Sequence, residues 1–284
     1  MRLAIVGFGM IGASLAASLR RVGTSDEIVA VVRTEAAADE ALGSGLADRA
    51  VVGAAAGVDG ADLVLLAVPM LAMRETLERI RPALAPHAIV TDAGSVKGRF
   101  VEDARAVFGD LARVVPGHPI AGREKSGMAA ADGALYVGRR VLLTPVEETS
   151  AEAIAAVTRL WESAGAEVEC LSPAHHDRVL AATSHLPHVL AFALVDALRE
   201  RQEAEEIFRY AAGGFRDFTR IASSDPVMWR DVCLTNAPAL LDALDGLDER
   251  LGALRRAIEA GDGEALEAAF RRARAAREAH AGGL

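Results

Sequence analysis

Leu3-Ala4-Ile5-Val6-Gly7-Phe8-Gly9-Met10-Ile11-Gly12 decides how the rest of this chain is read. Four successive apolar residues predict a strand buried on both faces, as in a parallel sheet. The run ends directly in G-x-G-x-x-G, and residues 11–21 continue with a helical pattern. At such a junction the first glycine allows a tight turn and the second lets the backbone approach a pyrophosphate. The third permits close helix–strand packing, and the helix N-terminus faces the phosphates. The expectation is dinucleotide binding by Gly7, Gly9, Met10, Ile11 and Gly12; the alternative is a tight turn without a ligand.

Further strands are predicted over 27–32, 62–68, 88–91, 113–116, 140–144 and 167–171, with helices over about 72–84 and 151–163 between them. This alternation implies βαβ units on a parallel sheet. Val68 and Pro69, where the third clear strand stops, join the expected cofactor contacts. Past Ser172-Pro173 no strand signal returns. Residues 174–184, 187–209, 213–222, 226–257 and 262–279 are all helix-compatible. The predicted organisation is an α/β dinucleotide-binding domain over residues 1–171 and an all-helical domain over 172–284.

Composition supports a globular chain. Hydrophobic residues make up 51% of its 284 residues and aromatics only 4%, so Ala, Val and Leu must fill the core. The net charge of −9 is spread evenly and leaves no basic face for nucleic acid. Cys170 and Cys233 fit no zinc or redox spacing and are expected as reduced, buried thiols of a cytoplasmic protein. The uncharged run from Leu3 to Leu19 imitates a signal peptide, but its spaced glycines and the following Arg20-Arg21 fit a strand–turn–helix better. The uncharged run Ala181 to Val195 is shorter than a bilayer span, so no membrane partner is expected.

The second strand ends Val31-Val32-Arg33-Thr34-Glu35, without the acid that would bond a ribose 2′-hydroxyl. Glu27 stands at that strand's start. Arg33 with Thr34 favours a 2′-phosphate, hence NADP over NAD. The alternative is Arg33 stacking on adenine with either cofactor, or Glu35 acting as a displaced acid.

Only two lysines occur among 31 basic residues, Lys97 and Lys125, and they bracket one polar stretch. Ser95, two residues before Lys97, and His118, between the two lysines, each follow a predicted strand end, the edge at which open α/β sheets bind ligands. A histidine there can take a proton from a substrate hydroxyl, with the serine fixing its tautomer or holding the hydroxyl. The alternative has His118 capping a turn beside Pro119. A serine hydrolase is disfavoured because no G-x-S-x-G elbow is present.

In the helical half, Ser184-His185-Leu186-Pro187-His188 predicts a helix start, with His188 substrate-facing or in the core rather than binding metal. Gly213-Gly214-Phe215-Arg216-Asp217-Phe218-Thr219-Arg220 breaks a helix and then sets Arg216 and Arg220 one turn apart. Phe218, Ile221 and Ala222 are expected inward. Arginine suits a carboxylate ligand; the alternative is a solvated arginine paired with Asp217. Asp225-Pro226 caps a helix carrying Trp229, which is read as core or interface.

Taken in order, G-F-G-M-I-G, T-D-A-G-S-V-K-G, G-H-P-I-A-G-R-E-K-S-G, S-H-L-P-H and G-G-F-R-D-F-T-R-I-A-S-S-D-P-V-M-W-R-D resemble the prephenate/arogenate dehydrogenases of tyrosine biosynthesis. The resemblance implies a Rossmann-type N-terminal domain, a helical C-terminal domain that forms a homodimer, and NAD(P)-dependent oxidative decarboxylation of prephenate or arogenate. It implies that His118 polarises or deprotonates the C4 hydroxyl and that Ser95 orients it. It further implies that Arg220 binds a substrate carboxylate, that His188 lines the same pocket, and that Trp229 lies near the partner subunit. Arg123 departs from the family pattern, where a small polar residue is common. It would pair with Glu124 or with the substrate's side-chain carboxylate, which favours prephenate. A β-hydroxyacid dehydrogenase or imine reductase shares the two-domain plan but usually relies on a helical-domain lysine, which is missing here. A non-catalytic dinucleotide sensor is the remaining alternative.

Overall fold

The computed structural model describes residues 1–23, 27–122 and 127–280. Arg123, Glu124 and Lys125 lie outside the described residues. Contacts group the chain into two compact units, Met1–Ala237 and Pro238–Leu284.

The first unit opens with strand β1 (Arg2–Val6), helix α1 (Met10–Arg21) and strand β2 (Glu27–Val32). Helix α2 (Glu35–Gly43), strand β3 (Arg49–Val52) and helix α3 (Ala54–Val58) follow. Then come strand β4 (Leu63–Leu66), helix α4 (Met73–Ile80), strand β5 (Ile89–Asp92), helix α5 (Lys97–Phe108) and strand β6 (Val114–Val115). The six strands form one parallel sheet in the order β3-β2-β1-β4-β5-β6. That is the doubly wound dinucleotide-binding order, whose switch point lies between β1 and β4. The central strands alternate between two cores. Leu3, Ile5, Leu63 and Leu65 face one, while Ala4, Val6, Val64 and Leu66 face the other. Burial on both faces is why these strands read as unbroken apolar runs.

A second sheet was not foreseen. Strands β7 (Gly117–Pro119), β8 (Arg140–Leu143) and, after helix α6 (Ala151–Ser163), β9 (Glu167–Cys170) form a three-stranded sheet. In it β7 runs antiparallel to β8. His118 therefore sits inside a short strand of its own, not in a loop after one: Pro116 ends the predicted run of residues 113–116, and β7 of the second sheet follows it directly. Cys170, at the end of an edge strand, is exposed and Cys233 is half-buried; both are free thiols. The expected burial fails because β9 is an edge strand with three of its four residues exposed, Cys170 the last of them.

Helix α7 (Pro173–Leu180) passes through a π turn (Ala181–His185) straight into α8 (Leu186–Arg199). The predicted break before Pro187 does not occur. The widened π turn accommodates a residue with no N–H to donate. Residues Pro173–Arg199 thus form one 27-residue helix, long and apolar enough by length and composition to cross a membrane, with 22% of its apolar window buried in this chain. The uncharged run Ala181–Val195, expected to be too short for a span, is only the middle of that longer helix. Helices α9 (Ala204–Arg209), α10 (Gly213–Thr219) and α11 (Pro226–Thr235) complete the unit. The second unit comprises nearly all of α12 (Ala237–Ala260) and α13 (Gly263–Ala279).

The glycine turn is sterically closed at two of its three glycines. Gly7 has φ +94°, and a Cβ on it would stand 2.3 Å from the Ala67 carbonyl oxygen. A Cβ on Gly12 would meet the Gly7 carbonyl oxygen at 2.5 Å. The buried Tyr136 hydroxyl donates to the Ile11 carbonyl at 2.7 Å and locks the first turn of α1 to the rest of the core. Gly7→Ala is expected to lower the unfolding free energy by about 2 kcal/mol or more, measurable as a fall in the urea midpoint.

Candidate active site

Four chain segments end at the carboxyl edge of the parallel sheet. Val6, Leu66 and Asp92 stand in register on neighbouring strands, with Thr91 beside Val115. The glycine turn, the Val68-Pro69 segment, the Ser95 loop and the His118 strand follow directly. A Cβ on Gly9 would meet nothing within 4 Å, and as N-cap of α1 this glycine provides no side-chain hydrogen bond. The helix's leading N–H groups therefore open onto free space, as a pyrophosphate requires. Val68 packs against Gly7, half-buried, and Pro69 is exposed beside it. The chain thus provides the cradle that a dinucleotide needs.

At the adenosine end, Arg33 is exposed and forms no ion pair among the described residues. The Thr34 hydroxyl caps α2 by accepting from the Ala37 N–H at 3.2 Å. Glu27 pairs with Arg2 at 2.8 Å at the opposite end of β2, which removes it as a ribose ligand.

Asp92 and Lys97 form a fully buried ion pair. The Asp92 carboxylate also accepts from the Gly94 N–H at 2.8 Å and the Gly117 N–H at 3.1 Å. The Lys97 ammonium donates to the Gly117 carbonyl at 2.6 Å. The Ser95 loop and the His118 strand are thereby tied to one another. Burial pushes the Asp92 pKa up and the Lys97 pKa down, and each charge partly offsets the other's shift. Ser95 is half-buried three residues beyond Asp92.

A second carboxylate enters from the helical segment. Asp177 on α7 accepts from the Lys97 N–H at 2.8 Å and the Gly98 N–H at 2.7 Å, capping α5. It lies 2.8 Å from His176 Nδ1, and His176 Nε2 lies 2.9 Å from His118 Nδ1. His176 is fully buried and His118 half-buried. Burial, and then the charges of His176, Lys97 and His185, hold the His118 pKa well below the ordinary imidazole range. Burial also lowers His176, with Asp177 opposing. Asn236 binds the Asp177 carbonyl at 2.9 Å and His185 Nδ1 at 3.0 Å, and burial pushes His185 down to about 4.

His188 is half-buried. Its ring stacks on Trp229, with centroids 3.5 Å apart and planes 19° apart, and its Nδ1 lies 2.9 Å from the Ser184 carbonyl. Trp229 is buried within its own chain, in the core that also holds Leu66 and Met70. Arg220 is exposed at the end of α10, in a turn packed against α8, the helix that carries His188. Phe218 is 44% exposed, against the inward position expected for it; Ile221 and Ala222 are half-buried. The short α10 ends before it completes a buried face. Sequence reading missed His176, Asp177 and Asp92. Asp92 stands in the T-D-A-G-S-V-K-G motif without having been given a role, and the signal for the other two was a His-His-Asp run early in a segment read only as helix-compatible. Among the described residues no group of three or more His, Cys, Asp or Glu is placed to hold a metal ion.

Known proteins share the sequence and fold of this chain. Residues 15–170 match the family described as prephenate dehydrogenase, nucleotide-binding domain, and residues 172–272 match prephenate dehydrogenase, dimerization domain. The chain belongs to the prephenate dehydrogenase family. A cyclohexadienyl dehydrogenase of Zymomonas mobilis is 39% identical over 97% of this chain and 94% of its own. A prephenate dehydrogenase of Bacillus subtilis is 34% identical over 95% of this chain and 73% of its own. Among solved structures, the A. aeolicus prephenate dehydrogenase in complex with hydroxyphenyl propionate and NAD+ superimposes with a TM-score of 0.90. It is 38% identical and covers 98% of this chain and 97% of its own. A Synechocystis arogenate dehydrogenase gives 0.83 at 30% identity, over 99% and 100%. A doubly wound nucleotide-binding sheet followed by a helical dimerisation region is therefore the family architecture of this chain, and its class is oxidoreductase.

In this family member the buried pair should govern stability. Lys97→Met leaves the Asp92 carboxylate without its counter-charge and should cost about 3 kcal/mol or more in urea unfolding. Lys97→Arg should also lose about 2 kcal/mol, because a guanidinium must enter a site with no exposure.

Proposed function

We propose that this prephenate dehydrogenase family member oxidatively decarboxylates prephenate to 4-hydroxyphenylpyruvate with NAD(P)+, in tyrosine biosynthesis. The observation that carries the mechanism is His118. It stands at the carboxyl edge of the sheet with its Nδ1 engaged by His176, which leaves Nε2 as the nitrogen to meet a substrate. Held well below its ordinary pKa, it is neutral at physiological pH and can accept a proton.

When bound in the cradle of Gly7, Gly9, Met10, Ile11 and Gly12, the nicotinamide cofactor accepts the hydride from C4. His118 accepts or polarises the C4 hydroxyl proton, so that oxygen electron density assists hydride departure. The C1 carboxylate leaves as CO2, its bonding electrons enter the ring, and the proton returns to the phenol oxygen. Aromatisation drives the reaction, so positioning is the protein's main task. Ser95 orients the hydroxyl. Arg220 receives a substrate carboxylate beside His188, which Trp229 holds by stacking. A dianionic substrate brought against the His118 ring raises its proton affinity towards the working pH. Arg123 and Glu124 complete the substrate contacts in this proposal, and the extra cation at Arg123 favours prephenate over arogenate. Arg33, exposed and without an ion pair among the described residues, favours NADP. Residues 1–171 serve as the dinucleotide-binding domain and 172–284 as the helical substrate-binding and dimerisation domain of a cytoplasmic homodimer.

Steady-state rates with prephenate and arogenate against NAD+ and NADP+ test the reading directly. Prephenate with NADP+ should give the highest kcat/KM; arogenate or NAD+ ahead would reverse those assignments. Arg33→Asp should move preference towards NAD+. His118→Asn should lower kcat by about 10²–10⁴-fold, and near-normal turnover would remove His118 from the chemistry. The depressed His118 pKa implies that kcat/KM stays flat through pH 6–7 and falls only at lower pH, as the ring protonates and loses its acceptor.

A further inference from the structure

His176 and Asp177 lie outside every motif that points to the reaction, yet they form a hydrogen-bonded line to His118. Their bonds determine which nitrogen of His118 carries the proton. Asp177 already accepts two backbone N–H groups, from Lys97 and Gly98, and a carboxylate in that position can only accept. His176 Nδ1, 2.8 Å away, must therefore donate to it. A neutral His176 then presents a bare Nε2, which must accept from His118 Nδ1 at 2.9 Å. His118 is left with Nδ1–H inward and a bare Nε2 for the substrate.

We propose that His176, oriented by Asp177, is a positioning residue that fixes His118 in the Nδ1–H tautomer and stabilises the imidazolium formed when His118 takes the hydroxyl proton. The inference rests on His118 being the proton acceptor, as proposed above. The line also bridges two parts of the fold. Asp177 and His176 belong to α7, whereas Lys97 and Gly98 begin α5. Docking of α7 on the N-terminus of α5 and selection of the reactive nitrogen are thus one event. Other charged groups close in on His118 from neighbouring elements. Lys97 at the start of α5, His185 in the π turn and His176 itself whenever it is charged all disfavour the imidazolium; a neutral His176 instead accepts from it through Nε2. Asp92 at the end of β5 is already paired with Lys97. Asp177, acting through His176, is therefore the group placed to favour a transient positive charge on the ring.

Nitrogen-15 NMR of histidine-labelled protein without substrate reads the tautomer directly. Near neutral pH the His118 signals should be those of a protonated Nδ1 and an unprotonated Nε2, and His176 should show a protonated Nδ1. A His118 protonated on Nε2 overturns the proposal. In kinetics with prephenate, His176→Phe should lower kcat by about 10²-fold or more with little change in KM, and should move the acid limb of kcat/KM to lower pH. His176→Gln, which keeps an acceptor for His118 Nδ1, should recover part of that loss. Asp177→Asn can donate to His176 and reverse both tautomers, so it should lower kcat by about 10²–10⁴-fold and show Nε2–H on His118 by NMR. Wild-type kcat and an unmoved acid limb in His176→Phe would overturn the positioning role. If His118→Asn itself turns over normally, the proton-acceptor reading fails instead, while the tautomer measured by NMR still decides the relay.

Discussion

Asp92 and Lys97 meet without any exposure to solvent, and three segments of the chain take their positions from that meeting. Removing two charges from water costs several kcal/mol per ion unless every remaining bond is satisfied. Here the Gly94 and Gly117 N–H groups complete the carboxylate. The Gly117 carbonyl and the Phe100 ring, whose centroid is 5.2 Å away, complete the ammonium. Such a pair tolerates little displacement of its partners. The end of β5, the start of α5 and the first residue of β7 are consequently held together, and with them Ser95 and His118.

The same pair shapes the chemistry next to it. A buried positive charge beside His118 penalises the imidazolium, so the ring waits in its neutral form. Opposing this, Asp177 brings a negative charge to the far side of His176. The ring is thus suspended between a cation that disfavours its protonation and an anion, one ring further off, that would compensate the proton gained in the proposed chemistry. Both opposing groups are anchored to the first turn of α5: Lys97 is its first residue, and its N–H with that of Gly98 holds Asp177.

Much of this was legible in the chain. The apolar strands were plain because both faces of the sheet are buried, and the glycine turn because backbone sterics permit no side chain at Gly7 or Gly12. His118, Ser95, His188 and Arg220 stand in motifs specific enough to single out, and the lone pair of lysines drew attention to the right stretch. What stayed hidden had no local signature. The Gly-His-Pro strand of the second sheet follows Pro116 directly and carries no apolar pattern that would have marked it as a strand. The burial of Cys170 was misjudged because edge-strand status is not a property of the residue. The π turn before Pro187 masked a continuous helix behind what read as a helix start.

The sequence by itself determined most of the elements, the glycine turn and the histidine proposed as proton acceptor, because strand burial, glycine stereochemistry and side-chain chemistry are encoded within a few residues. Only the tertiary structure decided which nitrogen of that histidine is free. Asp92 and Gly117 are 25 positions apart, Lys97 and Asp177 80 apart, and His118 and His176 58 apart. Hydrogen-bond direction along such a line depends on distances of about 3 Å between groups that only folding brings together.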